Sequence, residues 1–456
     1  MRAAALTTIA LAACVPSVAQ VEAPVRATLR TRLGAEPTAD DAAVRTALAQ
    51  PLTRASVTRI ALARNARVAA ALAEVGIAAG DAAAARGIGR TQLALSAYLA
   101  SSGDLLGGHA DVVHDVTALI LAAPRRRAGE ATLTAAQARA TAEVLAVAAR
   151  ADGAFLAVAA ATAELALART VFDAAEAAAD LTGRVHAAGG TTDLALAREQ
   201  SLREEARLAV ARTEAAVEVA RAELDAALGL AGDDTRWTLG EGVPELPATP
   251  PALDDLEGTA VATSLELAAL RADALAAANR ARAAKVGAWL PELSAGVGVE
   301  YHDGEYYPGP ALHVGLPLGS GERGRAAAEV AAERRVAHRT TAAAVELRAL
   351  ARAARMRALA AYEEARHLRD VLVPLRRRVL DETVLQYNAM NASPFELLLA
   401  RRELAAAERE LVGARHRFAA AMTTVDALRR GATVGVTATA AAAAPARAPE
   451  PHRGGH

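Results

Sequence analysis

Residues 293–301 read LSAGVGVEY, a strict alternation of apolar residues with small or polar residues. A period of two is typical of a strand with one apolar and one polar face. We therefore predict a strand over residues 291–301 and a second over residues 311–318, joined by a loop at residues 302–310. Residues 91–122 predict an earlier pair of strands around a glycine-rich loop, although the second of them alternates less regularly. The alternation fits both a small soluble sheet and a barrel wall with a wet interior.

Aromatic residues make up only 3% of the chain, yet several lie in or beside the predicted strands. Aromatic side chains concentrate where a membrane-spanning segment meets the lipid headgroups. The sequence therefore predicts membrane-interface positions for Tyr98, Trp289, Tyr301, Tyr306 and Tyr307.

Four strands are too few to close a barrel, because transmembrane barrels begin at about eight strands. An open sheet in lipid would leave the N–H and C=O groups of its edge strands unpaired, at a cost of several kcal/mol each. If these strands span a membrane, several copies of the chain must share one barrel. Two copies would supply about eight strands and three copies about twelve, and the strand pattern does not choose between them.

The rest of the chain is predicted to be helical. Hydrophobic residues make up 53% of the sequence, and many of them are alanine, the strongest helix former. The longest predicted helix, at residues 322–388, would approach ~100 Å at ~1.5 Å per residue, which is too long for a single globular core. Neighbouring helices must run beside it, and the repeated strands disfavour the alternative of a plain coiled-coil spacer. Further helices are predicted at residues 51–88 with an interruption at glycine, at 133–186, 193–228 and 255–288, and from the turn at 391–394 to residue 428.

The N-terminus carries an export signal. One positive charge, Arg2, precedes an apolar stretch, and the single cysteine follows at Cys14. Residues 11–14, Leu-Ala-Ala-Cys, resemble the lipobox of bacterial lipoproteins. This implies a lipidated Cys14 and an outer-membrane anchor, since Val15 stands where an inner-membrane retention signal has aspartate. The alternative is ordinary cleavage after Ala19. Beyond this signal no apolar stretch of ~18 residues lacks charge, so we expect no transmembrane helix, and a membrane span must use strands.

The two halves of the chain match at their second turns. TDLALAR at residues 192–198 aligns with FELLLAR at residues 395–401, and the strand pairs recur at a similar spacing. An internal match of this kind indicates duplication of one helix–hairpin–helix unit. The predicted organisation is a signal peptide at 1–13, a lipid-anchored linker at 14–50 with a short helix, a first repeat at 51–230, an inter-repeat linker at 231–254, a second repeat at 255–430 and a disordered tail at 431–456.

Several short segments share a further pattern. They are PLT at 51–53, IALARN at 60–65, EVGIA at 74–78, LPELS at 290–294, GLPLGSGERG at 315–324, and YNAM at 387–390 followed by FELL at 395–398. In this order and across two repeats, they resemble the TolC family of outer-membrane efflux factors. The Tyr-Asn-x-Met form is closer to the family's heavy-metal branch, associated with cobalt, zinc, cadmium and copper efflux. The chain departs from the family pattern at residues 189–190, which are both glycine, and at residues 91–93, which lack the strand-entry proline.

This resemblance implies a mainly helical fold with a small β part. Three copies would form a long α-helical barrel topped by a twelve-stranded transmembrane β-barrel. The resemblance implies a passive duct for small solutes, metal cations in this branch, with no enzymatic activity and no cofactor. Its implied partners are two further copies of the chain, outer-membrane lipid, a periplasmic adaptor (membrane fusion) protein and an inner-membrane pump of the RND type. The protein would be anchored in the outer membrane and would extend into the periplasm.

The resemblance also places two helical hairpin turns at the periplasmic tip of the duct. Asp193 and Glu396 begin the helices that follow these turns. An acid at that position is stabilised by the helix dipole, so capping is one interpretation, and a ring of negative charge that favours cations at the gate is another. Both can hold at once. The predicted adaptor contacts are Gly189, Gly190, Thr191, Thr192, Asn391, Ala392, Ser393, Pro394 and Phe395.

Other classes of function receive little support. Lys+Arg (51) nearly balance Asp+Glu (52), which leaves no basic excess to attract nucleic acid. GSGERG at residues 319–324 matches a dinucleotide-binding pattern, but the helix after it is far longer than a ~30-residue nucleotide-binding unit allows. His109 and His114 lack a third metal ligand, and His452 and His456 lie in a solvated tail. No catalytic arrangement of residues can be picked out.

Two alternatives to an export duct stay open. A periplasmic adaptor should show one helical hairpin between split β-rich halves, whereas this sequence has two repeats, each with its own strands. A structural coiled-coil lipoprotein would have the helices and the anchor without a channel.

Overall fold

The structure, a computed structural model, describes residues 17–38, 40–99, 101, 105–290, 292–302, 304–316 and 320–433. The predicted signal peptide, the lipidation site Cys14, and His452 and His456 of the tail lie outside the described residues.

Helices form most of the described chain. Their bounds are α1 (Val18–Leu33), α2 (Asp41–Leu48), α3 (Arg54–Arg64), α4 (Ala66–Ala85), α5 (Val116–Ala187), α6 (Asp193–Leu228), α7 (Leu256–Thr263), α8 (Leu265–Gly287), α9 (Gly321–His367), α10 (Val373–Asn388) and α11 (Pro394–Arg429). A short 3₁₀ helix lies at Gly232–Thr235, and a π-helical turn at Leu368–Leu372 joins α9 to α10.

Strands from both halves of the chain form one antiparallel sheet. They are β1 (Thr91–Leu99), β2 (Leu105–Asp115), β3 (Glu292–His302) and β4 (Glu305–Gly315), in the order β1-β2-β3-β4. β2 of the first half pairs with β3 of the second, so that Val112 lies opposite Val297. β1 and β4 are therefore the two edges of this sheet.

The predicted loop at residues 302–310 is wrong, because β4 begins at Glu305 and the reversal is a tight turn containing Gly304 at φ 87°. Pro308 and Pro310 suggested a loop. However, they lie in an edge strand, where a residue without an N–H is tolerated. The second strand of the first pair is shorter than predicted. It ends at Asp115, whose Oδ1 accepts a hydrogen bond from the Ala118 amide at 2.8 Å and thereby starts α5.

Three predicted helices contain breaks at positions that the sequence analysis did not identify. The break within residues 51–88 falls at Asn65 and not at glycine, because the Asn65 side chain caps α4 by accepting from the Arg67 amide at 2.9 Å. Ser264 caps α8 and separates it from α7 in the same way. The helix predicted at residues 322–388 contains a π-helical turn just before Pro374, whose missing N–H removes one helical hydrogen bond.

The predicted N-terminal linker contains two helices, α1 and α2, where one short helix was expected. Val21, Val25 and Leu29 of α1 are buried, and α1 packs against α4. Apolar residues at steps of four give α1 one buried face, which the polar residues between them obscured at the level of sequence.

The chain divides into two compact units. The first comprises Met1–Val147, Asp225–Gly240 and Glu257–Ala353, and the second comprises Ala148–Leu224, Glu241–Leu256 and Ala354–His456. In the first unit Leu52 forms a parallel bridge with Leu239, and the Trp237 Nε1 donates to Asp225 Oδ1 at 2.6 Å. The first unit contains the whole sheet.

The second unit is helical and has its own core. Tyr362 is fully buried, its ring lies 5.7 Å from that of Phe418, and its hydroxyl donates to the Ala248 carbonyl at 3.1 Å. Leu246 packs in the same cluster, so this part of the predicted inter-repeat linker contributes to a core.

By length and apolar composition alone, α4 and α5 are capable of crossing a membrane, which the sequence analysis did not anticipate. The most apolar stretch of α5 is 61% buried within the protein, as in a soluble core helix. That of α4 is only 33% buried.

Candidate functional site

One face of the sheet is apolar from one edge to the other. The register places residues of the same face side by side on all four strands, since Leu93 pairs with Val112, Val112 with Val297, and Val297 with Pro310. The side chains are exposed, at 72% for Leu95 and 69% for Val297. The residues of the apolar face are Leu93, Leu95, Ala97, Gly108, Ala110, Val112, Ala295, Val297, Val299, Tyr301, Tyr306, Pro308, Pro310, Leu312 and Val314.

This apolar face requires a covering that a single copy of the chain does not supply. Exposed contiguous apolar surfaces of this kind mark interfaces with protein or lipid. Both edge strands, β1 and β4, also present unpaired backbone groups on their outer sides within the described residues. A lipid covering is compatible with the fold only if those edges find partners.

The predicted interface aromatics divide between the two faces of the sheet. Tyr301 and Tyr306 lie on the apolar face near the β3–β4 turn, with ring centroids 5.0 Å apart. Trp289 lies at the opposite end of β3, with the Arg323 guanidinium 4.8 Å from its ring. The register places Tyr98 and Tyr307 on the polar face, where the Tyr307 hydroxyl donates to Glu305 Oε2 at 3.0 Å.

A buried carboxylate lies on the polar face of the sheet. The side chain of Asp111 on β2 has no exposed surface, and neither of its oxygens has a hydrogen-bond partner among the described residues. Asp111 Oδ1 lies 3.5 Å from His109 Nδ1, and Asp111 Oδ2 lies 3.4 Å from His313 Nε2. His313 belongs to β4, so it reaches Asp111 across β3. Gly298 of β3 pairs with Asp111, and a Cβ on it would lie 3.3 Å from Asp111 Cβ and 3.6 Å from His109 Nε2, so this glycine leaves room for the contact between Asp111 and His109.

The sequence analysis considered His109 together with His114, and the structure separates them. His114 lies on the opposite face, 3.1 Å from Thr91 Oγ1 and 3.1 Å from the Ile88 carbonyl. The partner that sequence reasoning missed is Asp111, because the less regular alternation of the second strand gave no sign of its burial. Within the described residues no group of three or more His, Cys, Asp or Glu side chains is arranged to hold a metal ion.

The first helical turn, between α5 and α6, is compact. Gly189 has φ 74°, and the Gly190 amide donates to the Val185 carbonyl at 2.9 Å, which ends α5 with a glycine cap. Thr192 begins α6 by accepting from the Ala195 amide at 3.3 Å. Asp193 is almost fully exposed and accepts from His186 Nε2 at 2.7 Å. His186 is a polar partner that the sequence analysis did not identify.

The second helical turn, between α10 and α11, ends in a capping box. The Ser393 hydroxyl accepts from the Glu396 amide at 3.3 Å, and Glu396 Oε2 accepts from the Ser393 amide at 2.6 Å. Glu396 therefore performs the capping role that the sequence suggested. It is the third residue of its helix, whereas Asp193 is the first of α6, so the two acids are not placed identically.

Exposed apolar side chains surround this second turn. Met390 is 94% exposed and has φ 60°, a left-handed conformation that is uncommon for a residue other than glycine. Phe395 and Leu385 are also exposed. Such a cluster at the end of a hairpin is an available contact surface for a partner. Met390 was not among the predicted contact residues.

Next to the second turn lies an open cleft of about 520 Å³ with polar walls. Arg378 and Glu382 of α10 line it together with Asn391, Ala392 and Glu396. The predicted contact residues Asn391 and Ala392 thus border a concave surface.

A buried acid lies nearly two helical turns into α6. Glu199 is 2% exposed, and its Oε1 has no hydrogen-bond partner in the described part of the chain. Burial raises the pKa of Glu199, and the positive charge of Arg402 opposes this rise. Arg402 is the residue that the predicted repeat, with its offset of 203 residues, aligns with Glu199.

Solved structures of outer-membrane proteins share this fold. The outer membrane protein VceC from the bacterial pathogen Vibrio cholerae has a TM-score of 0.69 at 17% identity, over 84% of this chain and 97% of that chain. The Campylobacter jejuni CmeC outer membrane channel has a TM-score of 0.68 at 13% identity, over 85% and 88% of the two chains. CusC, a protein that forms a transmembrane channel, has a TM-score of 0.62 at 14% identity, over 84% and 92%. No protein-family model and no curated protein matches the sequence.

At these identities the likeness shows the fold. The prediction of a mostly helical chain with a small sheet is confirmed, and the architecture is that of outer-membrane channels.

Proposed function

We propose that this chain is the outer-membrane channel subunit of a tripartite efflux system, a passive export duct with no enzymatic activity. The observation that carries the proposal is the four-stranded sheet with one continuous apolar face and two unpaired edges. Lipid can cover the apolar face, and strands from other copies can pair with the two edge strands. The fold shared with solved outer-membrane channels supports the same assignment.

The assembly is a homotrimer. Four strands from each of three copies make a barrel of twelve, and the polar face, with Asp111, His109 and His313, then lines its interior. The long helices α5 and α9, which follow β2 and β4, supply the wall of a helical duct.

The tips formed by the two helical turns bind a periplasmic adaptor, which links the duct to an inner-membrane pump of the RND type. Support comes from the exposed Met390 and Phe395 at the second turn and from the cleft beside them. Photo-cross-linkers at Thr191 and Ser393 should capture the adaptor in cells. If neither position yields an adaptor adduct, the tip assignment fails.

Cys14 is the lipid anchor, and metal cations are the cargo. The first proposal rests on the lipobox-like residues 11–14 and the second on the Tyr-Asn-x-Met segment. Metabolic labelling with a palmitate analogue should mark the wild-type chain and not Cys14→Ser. A deletion strain should lose resistance to zinc, cobalt, cadmium, copper or silver before it loses resistance to drugs.

Conductance in planar bilayers is the decisive experiment. Purified trimer should insert and produce stepwise ionic currents. A chain that stays monomeric and water-soluble without detergent, once its acyl chain has been removed, would instead be an adaptor or a structural coiled-coil lipoprotein.

A further inference from the structure

The helices below the sheet follow the order of its strands. α4 leads into β1, α5 leaves β2, α8 leads into β3 and α9 leaves β4. A Cβ on Gly129 of α5 would touch Ala85 of α4, and Gly287 of α8 lies beside Leu121 of α5, so consecutive helices are neighbours. α4 and the part of α9 up to Ala353 therefore lie below the two open edges of the sheet, within the first unit.

α4 has a face that no other described residue of the chain covers. Ile77 is 60% exposed, and a Cβ added at Gly76 or Gly80 would meet no atom within 4 Å. Glu74 and Asp81 lie along one side of this face, seven residues or about two helical turns apart. Both are exposed, and neither forms an ion pair with any described residue. The uncovered face is thus apolar along its centre and acidic along one side.

α9 carries a groove of complementary character. It has a volume of about 610 Å³, and Ala327, Val330 and Ala331 form its apolar floor. Its cationic rim consists of Lys285 from α8 and of Arg334, Arg335 and His338 from α9. No ion pair joins Lys285, Arg334 or Arg335 to another described residue. The acids Glu329 and Glu333 of α9 lie on its partly covered side, away from the groove.

We propose that the groove between α8 and α9 of one copy receives α4 of the next copy around the ring. When β4 of one copy meets β1 of another, the helices attached to those strands are brought side by side. Apolar Ile77 then covers the alanine floor, and Glu74 and Asp81 face the cationic rim. This inference rests on the proposed multi-copy barrel and identifies the surfaces that close it.

The depths of the two surfaces agree. Ile77 lies eight residues before Ala85 at the end of α4, and Ala331 lies ten residues after Gly321 at the start of α9. At ~1.5 Å per residue these positions lie about 12 and 15 Å from the helix ends that face the sheet. On the same count Glu74 and Arg334 lie about 16 and 20 Å from those ends, and Asp81 and Lys285 about 6 and 3 Å from the ends of α4 and α8. A single antiparallel register therefore matches the apolar and the charged pairs together.

Cysteine cross-linking tests the inference in the full-length protein. The double variant Ile77→Cys/Ala331→Cys, treated with a short bis-maleimide in outer membranes, should give covalent dimers and trimers. The matched control, Ile77→Cys/Val345→Cys, moves the second cysteine about 21 Å along the same exposed side of α9 and should stay monomeric. Single-cysteine variants in the same background account for any reaction of Cys14.

Charge reversal is the second arm. Glu74→Arg/Asp81→Arg should lower the trimer fraction in mild detergent about fivefold, as expected when pairs of surface charges become repulsive. Adding Arg334→Glu/Lys285→Glu should restore it, because Arg334 lies at the depth of Glu74 and Lys285 at the depth of Asp81. Restoration distinguishes a direct contact from general misfolding of the first variant.

The outcomes separate this inference from the proposed function. If trimers conduct but positions 77 and 331 do not cross-link, or cross-link no better than positions 77 and 345, the docking is overturned and the duct stands. If the wild-type protein forms neither trimers nor pores, both are overturned.

Discussion

The Nε2 atom of His313 lies 3.4 Å from Oδ2 of Asp111, although the two residues belong to strands separated by β3. His109 contacts the other oxygen of the same carboxylate at 3.5 Å. A fully buried carboxylate without hydrogen bonds is costly, and the two imidazoles are the groups nearest to it that can donate. The arrangement therefore ties β2 to β4 on the polar face of the sheet.

Removal of the imidazole from His313 should destabilise the protein by about 1–3 kcal/mol, because it takes away one of the two imidazoles that lie within 3.5 Å of a buried carboxylate without hydrogen bonds. In the double variant His313→Leu/Asp111→Asn, the loss should be smaller than the sum of the single losses. Urea unfolding of the protein in lipid vesicles measures the coupling energy, for which we expect about 0.5–3 kcal/mol.

A second pair on the same face serves as the control for this coupling. His313 and Glu305 lie on the same strand, eight residues apart, and do not touch. The losses in the free energy of unfolding caused by substituting His313 and by substituting Glu305 should therefore be additive. If His313→Leu alone leaves the free energy of unfolding unchanged, the contact with Asp111 does not stabilise the sheet.

Close packing between β2 and β3 predicts a sharp difference between two glycines. A Cβ at Gly296 would overlap the carbonyl oxygen of Val112, whereas a Cβ at Gly309 would meet nothing within 4 Å. Gly296→Ala should cost about 1–3 kcal/mol, since the strands must shift to admit the methyl group. Gly309→Ala should be neutral or slightly stabilising. The temperature at which the folded band disappears on a semi-native gel ranks the two, and equal behaviour would contradict the close approach.

The capping box at the second turn separates the two interpretations of Glu396. Ser393→Ala should cost about 1 kcal/mol of local helix stability and speed hydrogen exchange of the first amides of α11. Glu396→Gln keeps an acceptor for the Ser393 amide and so should leave exchange unchanged. If Glu396 also contributes a ring of charge, Glu396→Gln should reduce the preference of the pore for cations in bilayer recordings.

Ser201, in the interior of α6, supplies the control for the capping prediction. It is exposed, and Ser201→Ala removes a hydroxyl of the same kind from a helix interior. Neither exchange at the second turn nor ion selectivity should change. An unchanged selectivity in Glu396→Gln would leave capping as the sole role of this acid.

Periodicity was enough to predict the strands and the long helices, because a residue's neighbours in sequence determine both patterns. It failed where distant parts of the chain decide. Pro308 and Pro310 indicated a loop, but β4 is an edge strand in the sheet order, and an edge strand tolerates proline. The contact between Asp111 and His313 depends on the pairing of β2, β3 and β4, which the sequence around Asp111 does not show. Asn65, by contrast, interrupts its helix through a local cap that the sequence did contain.

Conformation and partners at the tips could be predicted only in part. The turn positions followed from the repeat, as did an acid at the start of each following helix. The left-handed backbone of Met390 and the contact between His186 and Asp193 depend on how each turn closes. Such local geometry has no periodic signal.

The stability of the helical unit should fall as the solution becomes acidic, through His416. Burial and the nearby charge of Arg417 lower the pKa of His416 below its ordinary value of 6.5. The folded chain therefore keeps a neutral imidazole at a pH where the unfolded chain has already bound a proton. This contribution to stability is present above about pH 6.5 and is lost as the pH falls below it, with a slope of at most about 1.4 kcal/mol per pH unit.

His416→Gln should remove that slope, because glutamine does not titrate. Chemical unfolding between about pH 7.5 and pH 5 measures it, with the exposed His367→Gln as a control that should retain the wild-type dependence. The sign is diagnostic: an imidazole charged in the folded state would give stability that rises on acidification. If His416→Gln and the wild type lose stability in parallel below about pH 6.5, other groups are responsible and His416 is not held neutral by its surroundings.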